Sequence, residues 1–444
     1  MTDGPFQLSR RALIAGLGAT LLHPTEGSAQ PSVASPRSLT LRARPTTIPL
    51  RVGQPETSIW NLLADGADSA PAFSRGDEIA VTFCNELPVP AVLNWHGLDG
   101  NSTAEPLTAR PPVTPGGTDT FTVALKHAGT LMCDARLLGE GQPRPSAAWA
   151  MAVREAEPAQ IDRDQMMLIE DWRLSAEGVA MPPGADAGTA APLYSVNGKA
   201  APDIALRRNE RVRFRFISGC QRNVIALKID NHDTRVMAID GQPAEPFLAR
   251  NGQIVLAPGS RVDVFVDATA VPGSVSSVTL HDGTKPQPIA RLLTGTETPL
   301  RNAPLAPPPP LPSNGLPAQL DLKNALRTEL SLDRSPGKQP GWIAPAGFSA
   351  AQPPAFRVKR NRTVVAALVN RATAPVTFHL HGHHFRLLDR LDDGWKPFWL
   401  DTLVIDARQT QRIAFLADST GRWLMETMAA DWAAPRLIQA YEIT

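Results

Sequence analysis

Cysteine is scarce in this chain. The 444 residues hold only Cys84, Cys133 and Cys220, scattered and with no Cys-x-x-Cys pair, so a thiolate-held zinc or a dithiol redox centre is excluded. Three thiols allow one disulfide with one left over, and lone strand cysteines are most commonly buried free thiols. Net charge is also scarce, at +1, which gives no reason to expect a nucleic acid or an anionic membrane as partner. The apolar run Leu13 to Leu22 is about half the ~20 residues of a spanning helix. Long helical periodicity is nearly absent. There is no Ser/His/Asp spacing, no phosphate loop, no dinucleotide fingerprint and no methionine-rich insert, the nine Met being dispersed.

What is present is turn chemistry and alternation. Pro 43 and Gly 32 are high together. Asp77 to Phe83 puts Ile79, Val81 and Phe83 on one face. Arg211 to Phe216 is read as burying Val212, Phe214 and Phe216 while pointing three arginines to solvent, and Val262 to Val266 is read likewise. Short strands with frequent turns predict an all-β protein of sandwiches or barrels. A proline-rich break at 299–317, including Pro307 to Pro310, reads as an extended linker. A softer boundary falls near Glu155 to Gln165. These breaks predict units at 37–157, 160–298 and 318–444, each of ordinary domain size. Residues 1–29 read as a signal peptide. Ser9-Arg10-Arg11-Ala12-Leu13-Ile14 has the form of a twin-arginine motif, and Gly27-Ser28-Ala29 is a small-residue cleavage site. The expected location is periplasmic, with no membrane span after removal of the leader.

Two C-terminal segments carry a resemblance. Phe378-His379-Leu380-His381-Gly382-His383-His384-Phe385 and Ala417 to Met428 resemble the last two copper motifs of the multicopper oxidases. Asn94-Trp95-His96-Gly97-Leu98, Ala128-Gly129-Thr130, Ile239-Asp240-Gly241-Gln242-Pro243 and Leu256 to Arg261 follow that family's order over nearly the whole chain past the leader. The resemblance implies three cupredoxin-like Greek-key domains. It also implies a type 1 copper in the last domain and a three-copper cluster between the first and last.

By that resemblance the type 1 ligand positions fall on Val376, Thr427, Trp432 and about Leu437, none of which is a soft copper ligand. The four His-x-His motifs of the cluster fall on Asn94-Trp95-His96, Asp134-Ala135-Arg136, His379-Leu380-His381 and Glu426-Thr427-Met428. Three of eight histidines remain, His96, His379 and His381, and in the family they serve three different coppers. The expectation is therefore no cofactor, or one copper ion at most, with Asp134, Glu426 and Met428 as additional candidate ligands. In place of metal, an Arg136–Glu426 ion pair is expected, ringed by Asp134, His96, His379 and His381. His383 and His384 are assigned packing or orienting roles, and His127, His232 and His281 read as isolated.

Two functions follow. One is a non-catalytic exported scaffold with periplasmic or cell-envelope partners, similar in kind to the twin-arginine-exported SufI proteins, which keep the three-domain fold without copper. The other is an oxidoreductase or copper-binding protein with one residual metal, or a sequestering site in the former cluster cavity.

Overall fold

The computed structural model describes residues 37–66, 72–332, 341–388 and 396–444; the expected signal peptide lies outside the described residues. Among the described residues every long element is a strand, and no helix is long and apolar enough to cross a membrane.

Three hydrophobic cores form along the chain, each closed by two sheets. The first lies between the sheet Thr57–Ala64, Arg37–Ile48, Glu78–Asn85, Thr118–Ala124 and the sheet Phe73–Ser74, Trp149–Arg154, Gly129–Asp134, Asn94–His96. The second joins a six-stranded sheet, centred on Arg211–Ser218 and Arg261–Asp267, to a five-stranded one. The third joins a four-stranded sheet to the sheet Arg357–Val358, Arg436–Ile443, Gly421–Ala429, Val376–Leu380, Thr402–Ile405. The same parallel pairing occurs in each: Arg37–Ile48 with Glu78–Asn85, Arg163–Trp172 with Arg211–Ser218, and Leu326–Ser331 with Arg362–Val369. Parallel neighbours require a crossover between sheets, so the repeat marks three domains of one cupredoxin-like topology.

Alternation builds these cores. Ile79, Val81 and Phe83 are fully buried, as their spacing predicts, each contributing about 1.5–3 kcal/mol. The alternation at Arg211 to Phe216 has a different outcome. Arg211, Arg213 and Arg215 are each 1% exposed, not solvent-facing. The first domain covers that face of the sheet at Arg213 and Arg215, and the 299–317 segment covers it at Arg211, through the Leu305 carbonyl at 3.0 Å. Arg213 pairs with Glu155 (2.8 Å) and Asp263 (2.6 Å), and Arg215 with Asp164 (2.7 Å) and Asp263 (2.9 Å). Arg211 pairs with Asp267 at 2.7 Å. Thr130 of the first domain donates its hydroxyl to Asp263 at 2.6 Å and closes the seam. The backbones touch at Gly129, where an added Cβ would stand 2.2 Å from the Gly241 carbonyl oxygen.

The segment 299–317 carries no strand, yet it is fastened. Arg75 donates to the carbonyls of Ser313 (2.8 Å) and Asn314 (3.0 Å), and buried Asn314 bonds the Ala128 backbone in both directions. Cys84, Cys133 and Cys220 are all free thiols.

Candidate functional site

The seam between the first and third domains gathers most of the residues singled out above. Asn94–His96 pairs antiparallel with Gly129–Asp134, with Asn94 opposite Asp134. Across the seam, Val376–Leu380 pairs with Gly421–Ala429 so that His379 stands opposite Glu426, and Ile438 and Arg436 stand opposite Glu426 and Met428. Directly opposed residues and alternate residues share a face, so His379, His381, Glu426, Met428 and Arg436 all rise from one side of the sheet.

His381 is held between two carboxylates. Its Nδ1 lies 2.8 Å from Glu105 Oε1 and its Nε2 2.8 Å from Glu426 Oε1. Both nitrogens therefore donate, which requires the imidazolium. Burial works against that charge, but Glu105 and Glu426 outweigh it and push the His381 pKa up to about 10. Glu426 is completely buried and fully satisfied. Its Oε1 also accepts from Asn94 Nδ2 at 2.7 Å, and its Oε2 accepts from Arg436 at 2.9 Å. Burial would raise the Glu426 carboxyl, but Arg436 and His381 hold it well below the usual range.

The expected Arg136–Glu426 pair does not form. Arg136 leaves the site toward the second domain, where it donates to Glu170 (2.6 Å) and the Gly219 carbonyl (2.7 Å), with the Ser146 carbonyl of its own domain accepting at 2.6 Å. Asp134 turns it that way by accepting the Arg136 backbone N–H at 2.9 Å. Arg436 takes its place beside Glu426. The sequence reading missed Arg436, although a charged residue opening an otherwise mostly apolar strand was a usable signal. Glu105, in an irregular stretch, offered none.

His379 is set differently. Its Nδ1 lies 3.0 Å from the Thr402 hydroxyl and 3.2 Å from the Asp401 carbonyl. Thr402 gives its own proton to Asp401 at 2.8 Å, so Nδ1 carries the hydrogen and Nε2 is a bare lone pair. Burial, with His96 beside it, drives the His379 pKa well below normal and keeps the ring neutral. Nε2 has no hydrogen-bond partner, and neither nitrogen of buried His96 has one. The two rings lie 4.3 Å apart between centroids. His96 Nε2 is 3.4 Å from Asp134 Oδ2 without hydrogen-bond alignment, and Gly259 lies beside its Nδ1, where an added Cβ would stand 2.8 Å away. Arg261 anchors this half from the second domain through a two-pronged pair with Asp401 (2.6 and 3.0 Å).

Met428, a candidate ligand, is turned away: its sulfur lies 3.8 Å from the Arg222 guanidinium. Val376, Thr427, Trp432 and Leu437 are buried. Val376 joins the third core, while Trp432 donates to the Pro182 carbonyl at 3.0 Å beneath the Arg173 guanidinium. His383 packs as expected, against Tyr441, Phe415 and Trp423. His127 is not isolated, since it stands with Asp99 and His384 in a second cluster.

Comparison with known proteins agrees with this architecture. Three multicopper oxidase family models match residues 70–144, 164–298 and 321–438. The multicopper oxidase MmcO of Mycobacterium tuberculosis is 24% identical over 407 residues, 79% of this chain and 76% of that protein. A multi-copper oxidase from Pseudomonas thermotolerans superposes with a TM-score of 0.76 at 25% identity, covering 92% of this chain and 99% of that one. Lac15 from a marine microbial metagenome superposes at 0.74 with 23% identity, covering 92% and 100%. Three matched models in family order, carried on a threefold cupredoxin-like frame, make this chain a member of the multicopper oxidase family.

Proposed function

We propose that this protein is a non-catalytic scaffold on the multicopper oxidase frame, exported by the twin-arginine route and working among periplasmic or cell-envelope proteins. The observation that carries the loss of oxidase chemistry is His381, clamped between Glu105 and Glu426 with Arg436 on the far carboxylate oxygen. An imidazolium has no lone pair for a metal, and a guanidinium beside it repels a cation. Two positive charges thus stand where the family implies copper, and His381 bridges the first and third domains through Glu105. At the type 1 positions, Val376, Trp432 and Leu437 offer no donor atom suited to copper, and Thr427 offers only a hydroxyl. Laccase-type turnover needs both the thiolate relay and the cluster, and this donor set fits neither. The export and partner assignments rest on Ser9 to Ile14 and on the family likeness in kind.

A second reading has its own observation. His379 Nε2 is an unpartnered buried lone pair whose opposite nitrogen donates to a carbonyl and a hydroxyl, the arrangement that orients metal-binding histidines. With His96 and Asp134 alongside, it fits one copper ion. The deciding experiment supplies Cu(II) to the full chain and records visible and EPR spectra together with oxygen uptake on phenolic substrates. The scaffold reading expects no thiolate-type blue band and no oxygen uptake. Oxygen uptake that is lost in His379→Ala would establish the second reading instead.

A further inference from the structure

Three sheet edges meet between the second and third domains. Gln242–Leu248 and Gln253–Leu256 end the two sheets of the second domain, and Thr402–Ile405 ends a sheet of the third. Edges do not seal against one another as faces do, and a cleft of about 410 Å³ is left between them. Val236, Ile254 and Val262 wall it from one side and Phe398, Leu400 and Leu403 from the other. Phe247 and Val255, also in the wall, stay 41% and 64% exposed. Small-molecule sites are typically clefts of this kind, ~300–1,000 Å³, apolar and between domains, with a few polar groups that fix orientation. No residue of the four His-x-His positions lines it.

The polar groups in the cleft differ in what they have to offer. The Thr402 hydroxyl is engaged with Asp401 and His379. The Asp240 carboxylate is spent on backbone, accepting the N–H groups of Arg261 (3.0 Å), Asp401 (3.1 Å) and Thr402 (3.3 Å). Two other groups are free. Ser260 is only 9% exposed and lines the cleft, and its hydroxyl has no hydrogen-bond partner among the described residues. A hydroxyl so far buried is normally satisfied. Arg250 is exposed at the rim, and its guanidinium has neither an ion pair nor a hydrogen bond among the described residues.

We propose that this cleft binds a medium-chain hydroxy carboxylic acid, with its carboxylate on Arg250 and its hydroxyl on Ser260. The apolar walls take the chain. Ser260 adjoins Arg261, whose N–H Asp240 holds, so the serine hydroxyl and the Asp240 charge share the buried end. That charge repels a carboxylate, while Arg250 at the rim attracts one, so the acid enters chain first. An uncharged hydroxyl at the leading end then meets Ser260, which can donate or accept. The same two charges exclude a dicarboxylate at the inner end and an ammonium group at the rim.

The test titrates octanoate, ω-hydroxyoctanoate and octanol into the full chain by calorimetry, beside Arg250→Glu and Ser260→Ala. Both side chains lack partners, so neither change disturbs the fold. The parent should bind one molecule per chain, ω-hydroxyoctanoate most tightly, then octanoate, then octanol. Arg250→Glu should weaken both acids by about fivefold or more and leave octanol unchanged. Ser260→Ala should weaken ω-hydroxyoctanoate about fivefold, to the level of octanoate, and leave octanoate unchanged. Absence of binding to the parent overturns the site, as does octanol bound as tightly as the acids, or an order of affinities that survives both substitutions.

Discussion

The two seams of the first domain solve the same problem in different ways. Against the second domain, Arg213 and Arg215 meet Glu155, Asp164, Asp263 and the Thr130 hydroxyl, so each guanidinium has two carboxylates. Against the third domain, Arg436, Glu426, His381 and Glu105 form a comparable chain of charge, but His96 and the Nε2 of His379 beside it are left without partners. Buried polar atoms are almost always satisfied in seams whose only task is to hold. Arg213 and Arg215 obey that rule, while Arg211 Nη1 on the same strand does not. The second seam breaks it at His96, at His379 Nε2 and at Asn94 Oδ1, all in the segments that resemble the family's His-x-His motifs.

The largest effect is expected where one carboxylate serves most. Glu426→Ala strips Arg436, one side of His381 and Asn94 at once, leaving buried charge uncompensated at a cost of about 3–5 kcal/mol. Denaturant melts should show the midpoint falling accordingly; an unchanged midpoint would mean the chain of charge does not hold the seam. Asp263→Ala should cost less, about 2–3 kcal/mol, because Arg213 keeps Glu155 and Arg215 keeps Asp164. A larger loss for Asp263→Ala than for Glu426→Ala would reverse the ranking of the two seams.

The contrast also explains which features could be read from the sequence. Period-two alternation gave the strands, and strand register carried His379, His381 and Glu426 to one face, because both are local. Alternation cannot distinguish a face turned to water from one turned to a carboxylate-lined neighbour, so Arg211, Arg213 and Arg215 read as exposed although Asp263 alternates on the facing strand. Arg136 and Arg436 were harder still. Both lie at the edge of the same site, and which one reaches Glu426 depends on where another domain offers better acceptors. Glu170 and two carbonyls draw Arg136 away. The Asp99, His127, His384 cluster was hidden for the same reason, since its members come from distant stretches and only the docked domains bring them together.

Titration separates the seams without mutation. Guanidiniums do not deprotonate in the working range, so the seam with the second domain is flat on the alkaline side. His381 has its pKa raised from 6.5 to about 10, so its stabilising contribution is complete below pH 6.5 and is lost as pH rises through about 10. Between those limits stability should fall by an amount on the order of a few kcal/mol, less than the loss in Glu426→Ala. His381→Gln should start lower and lose its own share of the alkaline slope, the remainder coming from His384, which Asp99 raises to about 9 against burial. An equal alkaline slope in parent and variant would show that His381 is not the titrating group.

The smallest effect is the one that sharpens the contrast most. His96 has both ring nitrogens buried and unpartnered, beside Gly259 on one side and the poorly aligned Asp134 on the other. Replacing an unsatisfied polar ring by an apolar side chain of similar volume removes a desolvation cost and little else. In the metal-free chain His96→Leu should therefore be neutral or stabilising, by up to about 1 kcal/mol. The same substitution at a satisfied position such as Arg213 would instead leave Glu155 without its guanidinium and Asp263 with Arg215 and Thr130 alone. Melting His96→Leu and the parent with and without Cu(II) separates two explanations for the orphaned nitrogens. If they are only a relic of the frame, the variant melts at or above the parent in both conditions. If they hold an ion, Cu(II) stabilises the parent, His96→Leu forfeits that gain, and the order of the two proteins inverts when copper is added.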